Sequence, residues 1–396
     1  MRILFVADGR SPIALDWIEF FVEKGDEVHL ASTFPAEPRL KLASFHFVPV
    51  AFSSLKPGVV GEPASRGPAN RFWSASGLRL RTLVRRWLAP LTLPPAALRL
   101  QRIVEEVGPD LMHAMRIPFE GMLAAEALGN EGYPPLVVSV WGNDFTLHAP
   151  STPWMARQTR RCLIRTNGVH ADCRRDLRLA HEWGFPDGGS AIVAPGNGGV
   201  KTDLFYPPEE ASPERELTLI NPRGFRAYVH NDTFFKALVA IVERWPELKV
   251  LCPDMAGESQ AIRWVQSLRL QKNVELLPKL SRLEMAEAFR RAAISVSPTT
   301  HDGTPNTLLE AMACGCFPIA GDLESVREWI APGTNGILVD PEDPGSIGEA
   351  ITRAMVDSSL RSIAREANRQ LIAERAENQM VMRLVEEFYR TIQAKS

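Results

Sequence analysis

Apolar residues in this chain fall in short, nearly unbroken runs, with polar stretches of helical period between them. In the first half the runs are 3–7, 28–31, 45–50, 111–113, 136–140, 169–171 and 192–194. In the second half they are 217–220, 249–251, 274–277, 294–297, 317–320 and 337–339. Runs rich in Val, Ile and Leu without polar alternation predict strands covered on both faces. Residues 232–244, 282–292 and 346–355 repeat apolar positions at helical spacing, and 377–393 reads as a closing amphipathic helix. Strand–helix–strand alternation predicts an α/β chain of parallel, doubly wound sheets with helices on both faces.

One segment breaks the rhythm. Residues 206–216 hold three prolines and four glutamates and no apolar run, and read as a linker. The expected organisation is one Rossmann-like domain over 1–205, a second over 206–376, and a helix over 377–396 packing back on the first. Ligands of such sheets bind outside the carboxyl ends of the strands, so function is expected in the loops that follow strands, in a cleft between the domains.

Length and composition fit this picture. The 396 residues suit two domains, and 45% apolar with 23% charged residues is ordinary for a globular chain. A net charge of −2 gives no reason to expect nucleic acid as a partner. Five cysteines, an odd number without zinc-ligand spacing, read as reduced thiols of a cytoplasmic protein, with no metal site. The opening MRILFVADGR reads as a strand, not a signal peptide, and no apolar run is long enough to span a membrane. Residues 63–104 stand apart, with eight arginines, no Asp, Glu or Lys, and interleaved Phe72, Trp73 and Trp87. Two readings fit: a loop with a solvated basic face, or peripheral contact with an anionic membrane or lipid-linked ligand.

The stretch HDGTPNTLLEAMACGCFPIAGD, from His301 to Asp322, carries the densest candidate chemistry. Thr304 is expected as N-cap and Pro305 as first residue of a short helix, with Gly315 just past its end. Such a helix begins at the carboxyl end of strand 294–297, and the amides of Asn306, Thr307 and Leu308 would form an anion site. Asp302 and Glu310 flank it. Eight helical residues span about 12 Å, too far for the roughly 5–9.5 Å of a hydrolytic carboxylate pair. The two acids suit gripping different hydroxyl groups around an anion. They equally suit a turn Asp and a salt-bridged helical Glu.

The same stretch resembles the signature of family-four retaining glycosyltransferases (glycosyl transferases group 1) of the GT-B fold. An acidic residue, Asp302, is followed by Glu310, then Ala-Met-Ala-x-Gly. The likeness continues through VREWIAPGTNGILVDPEDP at 326–344, GNGGVKTDLFYP at 196–207 and PDLMHA at 109–114. It implies two Rossmann-like domains, a nucleoside-diphosphate-sugar donor in the second and an acceptor in the first. It implies that Glu310 binds the ribose of the donor, that Gly303, Thr304, Pro305, Asn306, Thr307 and Leu308 line the diphosphate, and that Asp302 contacts the donor sugar. Asp302 is one methylene shorter than the family's Glu. The family neutralises the diphosphate with an Arg and a Lys. In NPRGFRAYVHND, 221–232, Arg223 matches the Arg, no Lys-Gly follows, and Arg226, or less directly His230, is the candidate replacement.

In the first domain Gly9, Arg10 and Ser11 follow the first strand, His113 ends another, and Trp141, Asn143 and Asp144 follow a third. All are candidates for binding the acceptor or donor sugar, and Trp141 and His113 serve equally as core residues. The expectation is a retaining, metal-independent glycosyltransferase acting on a saccharide or lipid-linked saccharide in polysaccharide biosynthesis, without a cofactor. A nucleotide-sugar epimerase or hydrolase, and a non-catalytic nucleotide-sugar-binding accessory protein, are the alternatives.

Overall fold

The computed structural model describes residues 1–51, 53, 89–129, 134–209, 213–226 and 228–395. Each of the thirteen apolar runs overlaps a strand, β1 to β13. These are β1 Arg2–Ala7, β2 Glu27–Ser32, β3 Ser44–Phe47, β4 Leu111–Ala114, β5 Leu136–Val140, β6 Gly168–Ala171 and β7 Ser190–Val193. They continue with β8 Thr218–Ile220, β9 Lys249–Cys252, β10 Val274–Leu276, β11 Ile294–Ser297, β12 Phe317–Gly321 and β13 Ile337–Val339.

The chain divides into two compact units, Met1–Gly198 with Met382–Ser396, and Gly199–Val381. The division falls at two glycines of positive φ, Gly198 and Gly199, ahead of the proline-rich segment. Unit 1 holds a seven-stranded sheet of order β3-β2-β1-β4-β5-β6-β7, and unit 2 a six-stranded sheet of order β10-β9-β8-β11-β12-β13. Every strand pair in both is parallel. In each sheet the strand order reverses once, between β1 and β4 and between β8 and β11. Connections leave in opposite directions there, and a crevice opens at the carboxyl ends.

The helix Asn378–Lys395 closes unit 1. Met382, Val385, Phe388, Tyr389 and Ile392 are buried with Ile3, Phe5, Trp17 and Phe21 of the sheet and first helix. Each such side chain contributes about 1.5–3 kcal/mol by burial. The helix Leu93–Val107 also spends its apolar face on the core, through Leu93, Ala96, Ala97, Leu100 and Ile103. That corrects the membrane reading for residues 93–104, whose apolar face is already covered. Residues 63–88, with Phe72, Trp73 and Trp87, lie outside the described residues. Among the described residues no helix is long and apolar enough to cross a membrane. The five cysteines are buried and free.

Candidate functional site

The site in unit 2 is built where its strand order reverses. The helix Asn306–Ala313 follows β11, with Pro305 as N-cap. This starts the helix one residue later than the sequence suggests. Thr304 does not cap it: its hydroxyl accepts a hydrogen bond from Trp329 Nε1 at 3.0 Å. Ser325 Oγ donates to the Asp302 carbonyl at 2.8 Å, so residues 325–329 pin the turn from two sides. Gly303, Thr304 and Pro305 are buried in it. The Leu308 amide donates to the Pro305 carbonyl at 2.9 Å, and its side chain is in the core. Leu308 is therefore not an anion ligand, which leaves the amides of Asn306 and Thr307 ahead of the first bond of the helix. Asn306 Oδ1 is buried without a hydrogen-bond partner in the protein. At the far end Gly315 takes φ +72°, the Gly315 amide bonds to Met312 O and the Cys316 amide to Ala311 O, a Schellman stop.

Arg223, on the turn after β8, faces this helix. Its Nη2 lies 2.5 Å from Asp302 Oδ2 and its Nη1 donates to Thr307 Oγ1 at 3.4 Å. Its Nε is buried without a partner. The turn is held by an asparagine brace, in which Asn221 Nδ2 donates to Asn231 Oδ1 and Asn231 Nδ2 to the Gly224 carbonyl. Both asparagines are buried, so the brace is worth more than an exposed pair. Arg226 is not brought to the site. It is exposed, and its Nη1 donates to the Tyr228 hydroxyl at 3.3 Å. His230 sits at the start of helix Asn231–Arg244, its Nε2 3.9 Å from Glu342 Oε1.

Glu310 is buried, and its Oε1 lies 3.3 Å from Arg282 Nη2. Arg282 was not among the expected residues. It opens helix Arg282–Arg291 after β10, at the same carboxyl edge of the sheet, and its guanidinium covers the Phe205 ring. Arg223 came from a resemblance to the family's segment, whereas only the rule that ligands bind at the carboxyl ends of strands could have pointed to Arg282.

In unit 1 the expected residues separate into two groups. Arg10 and Trp141 line a cavity of about 350 Å³ with Asp8, Phe34, Arg116, Phe119, Glu120 and His148. Gly9, Ser11, His113 and Asp144 belong to the framework. The Gly9 amide donates to Ser32 Oγ, and a Cβ there would lie 2.8 Å from that oxygen, so Gly9 is needed for close packing. The Ser11 hydroxyl caps the first helix through the Ala14 amide.

His113 is a core residue, not a sugar ligand. It is fully buried in a polar chain that runs from Trp17 Nε1 through the Tyr389 hydroxyl, His113, Ser139 Oγ and His170 to the Ala194 carbonyl. The carbonyl at its end can only accept. Every link is satisfied when both imidazoles are neutral with the proton on Nε2. Burial drives the His113 pKa well down and that of His170 to about 4.

Asp144 is likewise a clamp. It is 1% exposed, and its carboxylate accepts from Arg116 Nη2 at 2.7 Å and from the amides of Ile117 and Trp141. It ties the loop after β4 to the loop after β5 and has no face left for a sugar. Asn143 is half-buried, with Oδ1 unpartnered in the protein.

Among the described residues one trio, Asp172, Cys173 and Asp176, brings possible metal-ligand atoms within 4.8 Å of one another. It lies in unit 1, and Arg175 already pairs with Asp176 at 2.7 Å.

Known proteins share this architecture. The family model for glycosyl transferases group 1 matches residues 205–371, and that for a glycosyl transferase 4-like domain matches residues 12–196. An exopolysaccharide phosphotransferase of Streptomyces coelicolor is 33% identical over 169 residues, 41% of this chain and 18% of the relative. A D-inositol 3-phosphate glycosyltransferase of Thermobispora bispora is 25% identical over 178 residues, 41% of this chain and 42% of the relative. The match thus spans less than half of either relative. Sucrose-phosphate synthase of Thermosynechococcus elongatus superposes with a TM-score of 0.74 at 16% identity, covering all of both chains. Anabaena Alr3699/HepE in complex with UDP gives 0.69 at 14%, covering 99% of this chain and 100% of that one. These likenesses show the GT-B fold. With both family models matched in order along a chain of two doubly wound sheets, this protein belongs to the group 1 glycosyltransferases.

Proposed function

We propose that this chain transfers a sugar from a nucleoside-diphosphate sugar, held by unit 2, to a hydroxyl of a saccharide or lipid-linked saccharide held by unit 1. The observation that carries the reading is Arg223 set against Asp302 and Thr307 at the mouth of helix Asn306–Ala313. A departing diphosphate gains negative charge. A guanidinium and helix amides fixed beforehand stabilise that charge without reorganising. Asn306 and Thr307 supply the amides and Arg223 the cation. Glu310 takes the ribose hydroxyls and Asp302 the sugar. The UDP bound in the Anabaena neighbour supports a nucleotide in this fold.

In this reading transfer retains anomeric configuration, the acceptor attacking on the face the diphosphate leaves, and the diphosphate takes the acceptor proton. No metal is invoked, since Arg223 and the amides offset the charge. The protein acts in the cytoplasm, and the basic, aromatic composition of 63–88 supports peripheral contact with an anionic membrane. Product analysis with a panel of UDP-, GDP- and ADP-sugars, by proton NMR of the new anomeric centre, tests the reading. An α-donor giving an α-product in the presence of EDTA is expected. Inverted product, or transfer that EDTA stops and magnesium restores, counts against it.

A further inference from the structure

Unit 1 carries an arginine face that the transferase reading does not use. The helix Pro153–Arg165 holds four arginines and no acidic residue, and its inward side packs in the core through Met155, Cys162 and Leu163. Its outward side sets Arg157, Arg160, Arg161 and Ile164 at i, i+3, i+4 and i+7 spacing, all of them exposed. Ile164 is 66% exposed, more than any other large apolar side chain among the described residues. The half-buried Trp183 lies beside them, its ring 5.2 Å from the Arg160 guanidinium.

Few acids answer these charges. Arg161 pairs with Glu126 at 3.0 Å, whereas Arg157 and Arg160 form no ion pair among the described residues. From 153 to 178 the chain has seven arginines, and its two acids there, Asp172 and Asp176, are both buried. The excess extends to the unit as a whole. Met1–Gly198 with Met382–Ser396 carries 25 basic and 21 acidic residues, and Gly199–Val381 carries 20 and 26. A chain of net charge −2 with its two units charged oppositely suits an anionic partner for unit 1 alone. The helix Leu93–Val107 differs, since its exposed Arg99 and Arg102 share its surface with Glu105 and Glu106.

Side-chain chemistry decides which anionic partner. All seven are arginine and none lysine, and a guanidinium grips phosphate oxygens in pairs. Nucleic acid also presents phosphates, but it offers nothing to the bare Ile164 side chain. An acidic protein surface offers carboxylates in place of phosphates. A bilayer supplies phosphates in a plane with acyl chains beneath them, and residues 157 to 164 lie along one straight helix side of about 10 Å. Residues 63–88 add six arginines, Phe72, Trp73 and Trp87 to the composition of the same unit.

We infer that the outward side of helix Pro153–Arg165 docks unit 1 on an anionic lipid surface, with Arg157, Arg160 and Arg161 on lipid phosphates and Ile164 among the first acyl carbons. The inference goes beyond the proposed reading, which leaves membrane contact to 63–88, and it does not require sugar transfer.

The five native cysteines are buried, so Ile164→Cys takes a polarity-sensitive fluorophore selectively in the full chain. Leu384→Cys, at a position 46% exposed on the closing helix of the same unit, is the control. The probes are vesicles of phosphatidylcholine alone and of equimolar phosphatidylcholine and phosphatidylglycerol. On the mixed vesicles the dye at 164 is expected to shift to the blue and the dye at 384 to stay unchanged, and on phosphatidylcholine alone neither should move. Sedimentation with the same vesicles reads affinity. A basic residue near an anionic surface is worth roughly five-fold in partition, so changing Arg157, Arg160 and Arg161 together to glutamine should cost about twenty-fold or more. Changing all three to lysine should cost a few-fold at most. Glutamine keeps helix propensity, so helix content and Tm of that variant should match the wild type. A dye at 164 that does not shift on vesicles the chain does bind, or undiminished affinity in the glutamine variant, would overturn the inference and leave the contact to 63–88. No binding to the mixed vesicles would overturn both. Tighter capture of polyglutamate or duplex DNA than of the mixed vesicles would overturn it in favour of an acidic macromolecule. Transfer to a soluble saccharide, measured on the same variants, tests the transferase reading separately from all of these outcomes.

Discussion

Arg223 Nη2 and Asp302 Oδ2 stand 2.5 Å apart across the point where the strand order of unit 2 reverses, one residue on the loop after β8 and the other on the loop after β11. Each is mostly buried. Removing one therefore leaves the other charge poorly compensated, and single substitutions overstate the worth of either. A double-mutant cycle with Arg223→Ala and Asp302→Ala is expected to give a coupling of about 0.5–3 kcal/mol in stability. Asp302→Ala should spare nucleoside-diphosphate affinity while cutting turnover, since its proposed partner in the complex is the sugar. Equal loss of nucleotide affinity in both single variants would contradict that division.

Glu310 and Arg282 predict a graded effect. Glu310→Ala should weaken free nucleotide and intact donor alike by about 1.5–3 kcal/mol, the value of a hydrogen bond to a charged group. Arg282→Ala reaches the nucleotide through the Glu310 carboxylate and should cost a few-fold. Calorimetry with the free nucleoside diphosphate reads both. A larger loss for Arg282→Ala would make Arg282 itself a ligand.

Arg226→Ala is expected to change kcat and KM by less than about two-fold, because an exposed guanidinium on the Tyr228 hydroxyl has no share in the site. Arg223→Ala should lower kcat by 100-fold or more, as loss of an oxyanion donor does, roughly 2.7–4 kcal/mol. A crippled Arg226→Ala would mean that the loop swings inward when donor binds.

Buried groups of unit 1 set opposing pH dependences of stability, the His113 and His170 imidazoles against the Glu120 carboxyl. Burial lowers the His170 pKa to about 4, below its unfolded value, so its contribution is full above about 6.5 and is lost as pH falls towards 4. Burial raises the Glu120 pKa to about 7, so the folded state holds a proton that the unfolded state releases, and stability falls as pH rises from about 4.5 to 7. The slopes partly cancel. Glu120→Gln should remove the second and gain on the wild type between pH 5 and 7.5, by up to about 3 kcal/mol. Urea unfolding at the two pH values measures this, and an unchanged difference would show that Glu120 titrates normally.

Strand number and parallel pairing were readable because strands buried on both faces carry no alternation and cannot be mistaken for solvent-facing ones. The turn at 302–310 and Arg223 were readable because a local motif fixes them. The misreadings share a cause. A strand end offers His113 to a sugar or to the core alike, and its partner Tyr389, which decides for the core, lies 276 residues along the chain. Asp144 was offered to a hydroxyl, but Arg116, 28 residues earlier, fills it. Arg226 has the right spacing, and spacing does not say which way a loop side chain turns.

The central claim is that unit 2 binds a nucleoside diphosphate through Glu310 and the mouth of helix Asn306–Ala313. Calorimetric titration of UDP, GDP and ADP into the wild type and Glu310→Ala tests it most directly. At least one nucleotide is expected to bind the wild type at one site per chain. At 100 times its Kd that nucleotide should stabilise the fold by about 2.7 kcal/mol. Glu310→Ala should bind it at least ten-fold more weakly. Failure of all three to bind, or an affinity untouched by Glu310→Ala, would contradict it.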